Sequence, residues 1–304
     1  MRAALVLIFT SLLLSPVYAD TADPLAAASA ALTSGDTATA IQIATLAIGA
    51  GKLSKADAAK LYAVRGRAYL ATKDYDNAQS DLSTAIAAFA SSAEACASLG
   101  DVFASRSEAY VKLRLFRNAY NDANAAIICE PTSPVAQFDL GLANFTLLDE
   151  QGAVTAFTAA IALKPDYAEA FAERGKAYEN LGQRDKALAD YDEVIRLDPA
   201  NWGAYNNRAT IYMSESKIDE AIADLNRSID LHSTNFLSFV NRGYAYYRKG
   251  DFTSAQADLD RARKLDSDPQ LHDAFEKEAG PAFTKQSEAQ MDYLADFLAN
   301  RSKQ

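Results

Sequence analysis

Residues 168–201 read AEAFAERGKAYENLGQRDKALADYDEVIRLDPAN, and this 34-residue stretch decides the fold. Its apolar and small residues recur three or four positions apart, which is the spacing of one face of an α-helix. Gly182 interrupts this pattern in the middle of the stretch, and Pro199 closes it. Because glycine permits a chain reversal and proline cannot continue a helix, the stretch predicts two antiparallel helices joined by a tight turn.

The same pattern recurs along most of the chain. Position 20 of the repeat is always alanine, position 8 is always small, and position 11 is tyrosine in all copies but one. Small residues at these positions let two helix backbones approach closely, and the aromatic side chain fills the adjacent space. A fixed period of this length predicts stacked helical hairpins that share a continuous core. The repeats are 59–92, 100–133, 134–167, 168–201, 202–235 and 236–269, with a degenerate copy or cap in 20–58.

These signature positions resemble the tetratricopeptide repeat family over most of the chain. In the quoted stretch the matching residues are Phe171, Gly175, Tyr178, Ala187, Tyr191 and Pro199. The resemblance implies an all-α, right-handed superhelical solenoid of helix-turn-helix repeats with C-terminal capping helices. The degenerate copy departs from the pattern because Pro24 replaces a large residue, so we expect it to be a loosely packed cap.

Charged residues at positions 7 and 23 vary together. Five repeats have arginine at position 7 and aspartate at position 23, whereas repeat 134–167 has Leu140 and Ala156. The two positions lie at similar height on antiparallel helices, so the pattern predicts one structural ion pair per repeat, with bidentate geometry. The alternative is a row of arginines that binds an acidic ligand, and the matched aspartates oppose it. The predicted pairs are Arg65–Asp81, Arg106–Asp122, Arg174–Asp190, Arg208–Asp224 and Arg242–Asp258.

The first helix of each repeat carries a second stripe, at positions 2, 5, 9, 12 and 13. The resemblance implies that this stripe lines a concave, peptide-binding face, and in two repeats it is unusually apolar. Alternatively, tight curvature or the C-terminal helix covers these residues. The pattern of lysine and asparagine by which chaperone-binding relatives grip a C-terminal carboxylate is not reproduced. The candidate binding residues are Val135, Phe138, Leu142, Phe145, Lys176, Asn206, Thr210, Met213, Tyr244 and Tyr247.

The first 19 residues have the pattern of a secretory signal peptide. Arg2 precedes an apolar run, and Val17 and Ala19 occupy the small-residue positions of a cleavage site. We therefore expect export, with the periplasm as destination, and no membrane span after cleavage. An uncleaved anchor is the alternative. No cysteine lies near the cleavage site, which opposes lipid attachment.

The C-terminal residues 270–304 leave the repeat register. Met291, Leu294, Phe297 and Leu298 share one helical face there. Terminal repeats need a solvating cap, so this segment is expected to cap the array. Docking onto a partner or a second copy, which would give a homo-oligomer, is the alternative.

The chain's two cysteines, Cys96 and Cys129, belong to the seven-residue insertion 93–99 and to the end of the following repeat. If the insertion lengthens the first helix of repeat 100–133 backwards, both cysteines lie at one end of a single hairpin. An exported chain meets oxidising conditions, so we predict a disulfide; two buried free thiols are the alternative.

The sequence lacks the residues that other classes of function require. The net charge is −10, with no basic footprint for nucleic acid. His232 and His272 are the only histidines, and no metal-ligand spacing, phosphate loop, nucleophile elbow or cofactor motif is present in the sequence. The sequence therefore favours a non-enzymatic scaffold for a protein or peptide partner. An envelope adaptor resembling periplasmic repeat lipoproteins, or a structural oligomer built through the terminal helices, remains open.

Overall fold

The structure, a computed structural model, describes residues 23–89, 95–267, 289, 291–296 and 298. Those residues form α-helices in successive packed pairs and contain no β-strand, which confirms the predicted all-α fold class. The chain divides into two compact units, Met1–Leu148 and Asp149–Gln304. The predicted signal peptide and residues 270–288 lie outside the described residues.

The first unit contains seven described helices, each packed against the next along the chain. The degenerate copy forms its first hairpin, in which Pro24 begins the first helix and the side chain of Asp23 caps it. Ala28, Ala40 and Ala44 have no exposed surface, so this hairpin is more tightly packed than we expected from its sequence. The helices are α1 (Pro24–Thr33), α2 (Thr37–Gly49), α3 (Lys55–Ala71), α4 (Tyr75–Phe89), α5 (Ala95–Lys112), α6 (Phe116–Cys129) and α7 (Pro134–Thr146).

The second unit continues the same alternation of helices. Within it, α9 packs on α10, α11 on α12 and α13 on α14, and each pair packs on the next. The helices are α8 (Glu150–Leu163), α9 (Ala168–Asn180), α10 (Arg184–Leu197), α11 (Trp202–Ser214), α12 (Ile218–Leu231), α13 (Phe236–Lys249) and α14 (Phe252–Asp266).

The repeating small residues lie in the cores of both units, as the pattern predicts. The alanine at position 20 is fully buried in all six repeats. Gly175 marks a close approach of two helices, because a Cβ atom there would lie 2.9 Å from the ring of Tyr191. Tyr191 has no exposed surface. The small residue at position 8 therefore makes room for the large residue at position 24.

A left-handed residue reverses the chain at position 15 of every repeat. Gly182 and Gly250, which the sequence singles out, have φ of 70° and 87°. Four other repeats place a residue with a side chain in the same conformation, at a cost of about 1 kcal/mol each relative to glycine. They are Lys73, Arg114, Leu148 and Ser216.

The C-terminal segment packs on the last hairpin. Met291, Leu294 and Leu298 are buried in one cluster with side chains of α13 and α14, including Val240 and Leu259. These three side chains cover the hairpin where a further repeat would otherwise stack, as expected of a cap. Phe297 lies outside the described residues.

Candidate protein-interaction surface

The five predicted arginine–aspartate pairs are all present, with one geometry. In each repeat the arginine Nε and Nη2 donate to the two carboxylate oxygens of the aspartate at 2.6–2.9 Å. The arginine side chains are 16–19% exposed and the aspartates 5–10%. These arginines are therefore held inside the repeats and offer little surface to an acidic ligand.

The third donor of each arginine reaches the preceding repeat. Its Nη1 donates to the side-chain oxygen of the residue at position 25 there, at 2.6–3.1 Å. Sequence reasoning missed these partners, although all five have an oxygen that can accept a hydrogen bond. The acceptors are Thr45, Ser83, Thr158, Asp192 and Asn226.

Aromatic rings at positions 4 and 11 complete this network. The guanidinium carbon lies 5.4–5.9 Å from the ring centroids, close enough for a cation–π interaction. The hydrogen bond that Arg208 donates to Asp224 raises the pKa of Arg208 above its usual value. The arginine, the aspartate and the aromatic residues thus form one structural motif that recurs at fixed positions.

Repeat 134–167 lacks the arginine, the aspartate and both aromatic residues of this network, although its Thr158 accepts from Arg174 of the next repeat. Its residues at positions 4, 7, 11 and 23 are Gln137, Leu140, Asn144 and Ala156. The boundary between the two compact units falls within this repeat.

Asp139, in the same repeat, is a buried carboxylate whose Oδ2 has no hydrogen-bond partner in the part of the chain that the structure describes. It is 2% exposed. Burial, with a smaller contribution from the charge of Glu108, raises the pKa of Asp139 well above its usual range, and Lys112 partly opposes that shift. Among the described residues Asp139 forms no ion pair, and the charge of Lys112 only partly offsets the effect of burial.

The candidate binding residues of the first unit lie on α7. Val135 is 42% exposed, and Phe138, Leu142 and Phe145 are half-buried. Their positions follow one helical stripe, as the repeat register predicts. The apolar stripe of α7 is thus partly accessible to solvent rather than covered.

The second unit presents an aromatic group on α13. The rings of Tyr244 and Tyr247 are 6.1 Å apart, and Tyr247 lies 6.0 Å from Phe252. The guanidinium of Arg248 lies 6.0 Å from the Tyr244 ring and donates to Ser216 Oγ at 3.3 Å. Both tyrosines are half-buried, so each keeps part of its ring available to a partner.

Two further candidates keep part of their surface on neighbouring helices of that unit. Lys176 on α9 is half-buried and forms an ion pair with Glu173 at 2.8 Å. Thr210 on α11 is half-buried, and its hydroxyl donates to the carbonyl oxygen of Asn207.

Asn206 and Met213 do not have the exposure expected of binding residues. Asn206 is 2% exposed, and its Oδ1 accepts from Asn241 Nδ2 of the next repeat at 3.0 Å. Met213 is 6% exposed and packs with Leu225 and Tyr244. Both side chains therefore stabilise the contact between repeats. They are covered by α13, the first helix of the following repeat. The pattern within a single repeat does not show how close that helix lies.

A disulfide joins Cys96 and Cys129. Helix α5 begins at Ala95, ahead of Gly100, so the insertion lengthens it backwards as the sequence predicts. The bond ties the beginning of α5 to the end of α6 and closes that hairpin at its open end.

The described residues contain no metal centre or membrane-spanning helix. No three of their histidine, cysteine, aspartate or glutamate side chains are grouped so that they could hold a metal ion. Among the helices of the same ranges, none is both long and apolar enough to cross a membrane. The ring of His232, at the end of α12, lies 5.2 Å from that of Trp202 and is tilted by 50° to it. His272 lies outside the described residues.

Two family models match the chain. The model of the ETO1 C-terminal domain matches residues 135–279, and a tetratricopeptide repeat model matches residues 63–109. Curated proteins give no sequence match.

Solved structures with this fold are similar over most or all of their own length. A tetratricopeptide repeat protein from Parabacteroides merdae has a TM-score of 0.60 and 16% identity, over 88% of this chain and 97% of that one. For pilF from Pseudomonas aeruginosa the TM-score is 0.59 at 15% identity, over 74% and 99%. For MamA from Desulfovibrio magneticus it is 0.52 at 20% identity, over 56% and 96%. Identities this low establish the fold alone.

Together, the family matches and these structures support a tetratricopeptide repeat protein. A fold of this class supports, in general terms, a protein-interaction scaffold. Because the same architecture binds many unrelated partners, a more specific function has to be argued from the accessible side chains of this chain.

Proposed function

We propose that this protein is a non-enzymatic periplasmic scaffold that binds a segment of a protein partner on the stripe formed by the first helices of its repeats. The observation on which this proposal rests is the aromatic group Tyr244, Tyr247 and Phe252 beside Arg248. Tyrosine and arginine combine large apolar area with hydrogen-bond donors, and they are enriched where binding energy concentrates.

The chemistry of this group indicates the kind of segment it accepts. The half-buried rings of Tyr244 and Tyr247 would contact an apolar side chain, while the exposed guanidinium of Arg248 would donate to a carbonyl or carboxylate oxygen. The apolar stripe on α7 offers a second place for apolar side chains. An extended or helical segment with alternating apolar and acidic residues fits the first group best.

Substitution of the tyrosines tests this surface. The double variant Tyr244→Ala/Tyr247→Ala should capture its partner from envelope extract at least about tenfold less well than the unmodified chain, as expected for loss of interface hot spots. Phe138→Ser/Phe145→Ser tests the α7 stripe separately. Leu163→Ser is the matched control, because Leu163 is 39% exposed on the second helix of a repeat. Unchanged capture by both double variants would remove the binding-surface proposal.

The periplasmic location has an independent test. When the full chain is produced in a Gram-negative bacterium, the periplasmic extract should contain a protein whose first residue is Asp20, by N-terminal sequencing and intact mass. A protein that retains Met1 and stays with the cytosol or the membrane would contradict export by a cleaved leader.

A further inference from the structure

Glu179 on α9 is a half-buried carboxylate at position 12 of its repeat, the position that Tyr247 occupies on α13. Its Oε1 accepts a hydrogen bond from the hydroxyl of Tyr191. Because Tyr191 has no exposed surface, the core of the repeat fixes the direction of this carboxylate. Within the described part of the chain, Glu179 forms no ion pair, and its Oε2 accepts no hydrogen bond and is not buried. Oε2 is therefore accessible to a partner.

Lys176, one turn earlier on α9, neutralises Glu179 only in part. Its Nζ lies 2.8 Å from Glu173 Oε1, so this ammonium group is already paired with another carboxylate. Burial raises the pKa of Glu179, and the hydrogen bond from Tyr191 and the charge of Lys176 partly oppose that shift. A further cation beside Oε2 would therefore stabilise the ionised carboxylate. Glu169, the other carboxylate of α9, lies about 15 Å away along the helix axis, in the first turn.

The cationic side chains that follow α9 leave Glu179 unpaired. Lys186 Nζ donates to Gln183 Oε1 at 2.7 Å. Arg184 begins α10 next to Asp185, and both are exposed. Among the described residues, neither Lys186 nor Arg184 forms an ion pair with Glu179. The turn after α9 thus supplies no counter-ion for this carboxylate.

Arg248, at position 13 of α13, is an exposed cation without a carboxylate partner among the described residues. The groups that it contacts, a hydroxyl, a carbonyl oxygen and an aromatic ring, carry no charge. The guanidinium is therefore available to a carboxylate of a partner. The carboxylates of the adjoining turns have other partners, which are Lys217 for Glu215, Lys249 for Asp219 and the backbone and hydroxyl of Ser254 for Asp251.

The two unpaired charges lie at one level of the second unit. Glu179 and Arg248 occupy adjacent repeat positions on α9 and α13, and α11 is the first helix between them. Packed helix axes lie about 8–10 Å apart, so two steps separate the charges by roughly 20 Å. An extended segment advances about 3.3 Å per residue and crosses this span in about six residues. On α11, the exposed Ser214 donates to the carbonyl oxygen of Ile211, and its own oxygen can accept from the backbone of such a segment.

We propose that the second unit selects a dipolar extended segment, whose basic side chain pairs with Glu179 and whose acidic side chain, about six residues away, pairs with Arg248. This selection rests on the binding surface proposed above and names the charge pattern of its partner. Apolar side chains between the two charges, on the same edge of the segment, contact the half-buried rings of Tyr244 and Tyr247. A segment with two like charges places one of them beside a side chain of the same sign, which disfavours its binding.

Calorimetric titration with synthetic peptides tests the proposal on the chain that begins at Asp20, which keeps every described residue. The dipolar probe is acetyl-Lys-Ala-Leu-Ala-Leu-Ser-Asp-amide, in which the lysine, both leucines and the aspartate share one edge of an extended strand. Acetyl-Lys-Asp-Leu-Ala-Leu-Ser-Ala-amide has the same composition with adjacent charges. Two further probes are versions of the dipolar peptide with lysine, or with aspartate, at both ends.

The protein variants change one charge at a time. Glu179→Gln keeps an oxygen for the Tyr191 hydroxyl and removes the charge, and Arg248→Glu reverses the charge of an exposed side chain. Matched controls are Glu220→Gln and Arg227→Glu, at exposed positions of the second helix α12. Helicity and thermal unfolding are recorded for every variant.

The unmodified protein should bind the dipolar probe at least about tenfold more tightly than the other three probes. Glu179→Gln should weaken binding of the dipolar probe by about tenfold, and Arg248→Glu should prefer the probe with two lysines, while both controls bind as the unmodified protein does. Equal affinity for all four probes, no binding of the dipolar probe, or an unchanged preference in both variants would overturn the proposal.

The tyrosine variant separates this outcome from failure of the binding surface itself. If all four probes bind equally and Tyr244→Ala/Tyr247→Ala weakens every one of them, the surface is retained and the charge selection is wrong. If the tyrosine variant binds every probe as the unmodified protein does, the proposed surface is wrong as well.

Discussion

Arg208 contacts two carboxylates and two aromatic rings with one guanidinium group. It donates to both oxygens of Asp224 within its repeat and to Asp192 of the preceding repeat. Because Arg208 and Asp224 are largely buried, removing one partner leaves the other charge desolvated and unpaired.

A double-mutant cycle measures this pair. Arg208→Ala and Asp224→Ala should each lower the free energy of unfolding by about 3 kcal/mol, and the double variant should lose clearly less than the sum. Urea denaturation followed by circular dichroism gives the values. Arg227→Ala, at an exposed arginine of the same α12, should change stability by less than about 0.5 kcal/mol. Additive losses in the cycle would show that the pair contributes no coupling.

Substitution of Asp139 is expected to raise the free energy of unfolding, whereas the substitutions of Arg208 and Asp224 lower it. The folded-state pKa of Asp139 is raised, so the native state holds a proton that the unfolded chain releases, and stability falls as the pH rises through the folded pKa. Asp139→Asn removes this penalty and should stabilise the protein by about 1 kcal/mol or more at neutral pH, with little effect near pH 4.

Urea denaturation at the two pH values checks this sign. The exposed Asp166→Asn is the control for the substitution itself and should change stability by less than about 0.5 kcal/mol. Destabilisation of Asp139→Asn at neutral pH would mean that a group other than Lys112 stabilises the ionised carboxylate.

At the residue scale, the sequence predicted the arginine–aspartate pairs but not their third partner. The pairs follow from two positions that change together between repeats. The acceptors at position 25 have four different identities across the repeats, and their contact depends on how far one hairpin is rotated against the next. A repeat pattern contains no measure of that rotation.

Position 8 of the repeat controls how closely the two helices of a hairpin pack. At Gly175 an added Cβ would meet the fully buried ring of Tyr191. At Gly203, near the start of α11, the nearest atom to an added Cβ is Asn201 Oδ1 at 3.4 Å.

Alanine substitutions at these two glycines should therefore have opposite effects. Gly175→Ala should lower the free energy of unfolding by about 1–3 kcal/mol, because the core has no room for the methyl group. Gly203→Ala should be neutral or stabilise by up to about 1 kcal/mol, because alanine has the higher helix propensity. Thermal and urea unfolding give both values, and equal effects would contradict the close approach at Gly175.

At the element scale, helix positions were predictable and exposure was not. The periods of small and apolar residues located the helices, and proline marked three of their ends. However, α12 ends at the equivalent place without proline, and Arg114 and Leu148 reverse the chain at the position where two other repeats have glycine. Contacts with the next repeat bury Asn206 and Met213.

The last hairpin of the second unit depends on residues beyond the repeats. Met291, Leu294 and Leu298 bury the apolar surface that α13 and α14 would otherwise expose. Leu294 lies 3.4 Å from the position of a Cβ on Gly243, so it enters the space beside a position-8 glycine.

Deletion of residues 291–304 tests this role at the scale of the whole molecule. The shortened chain should unfold at a lower temperature and self-associate, because Leu259 and Leu265 become exposed. Light scattering and thermal unfolding measure the two effects, with deletion of residues 299–304 as the control. A lower oligomeric mass after the longer deletion would instead show that the segment joins two copies.

The arginine network also has a consequence for the insertion of additional repeats. Each guanidinium group donates to position 23 of its own repeat and to position 25 of the preceding repeat. Inserting a further whole copy, in frame, would supply every new arginine with an aspartate and with an oxygen one copy back. Tandem duplication of a coding segment could thus lengthen the molecule without leaving a buried charge unmatched.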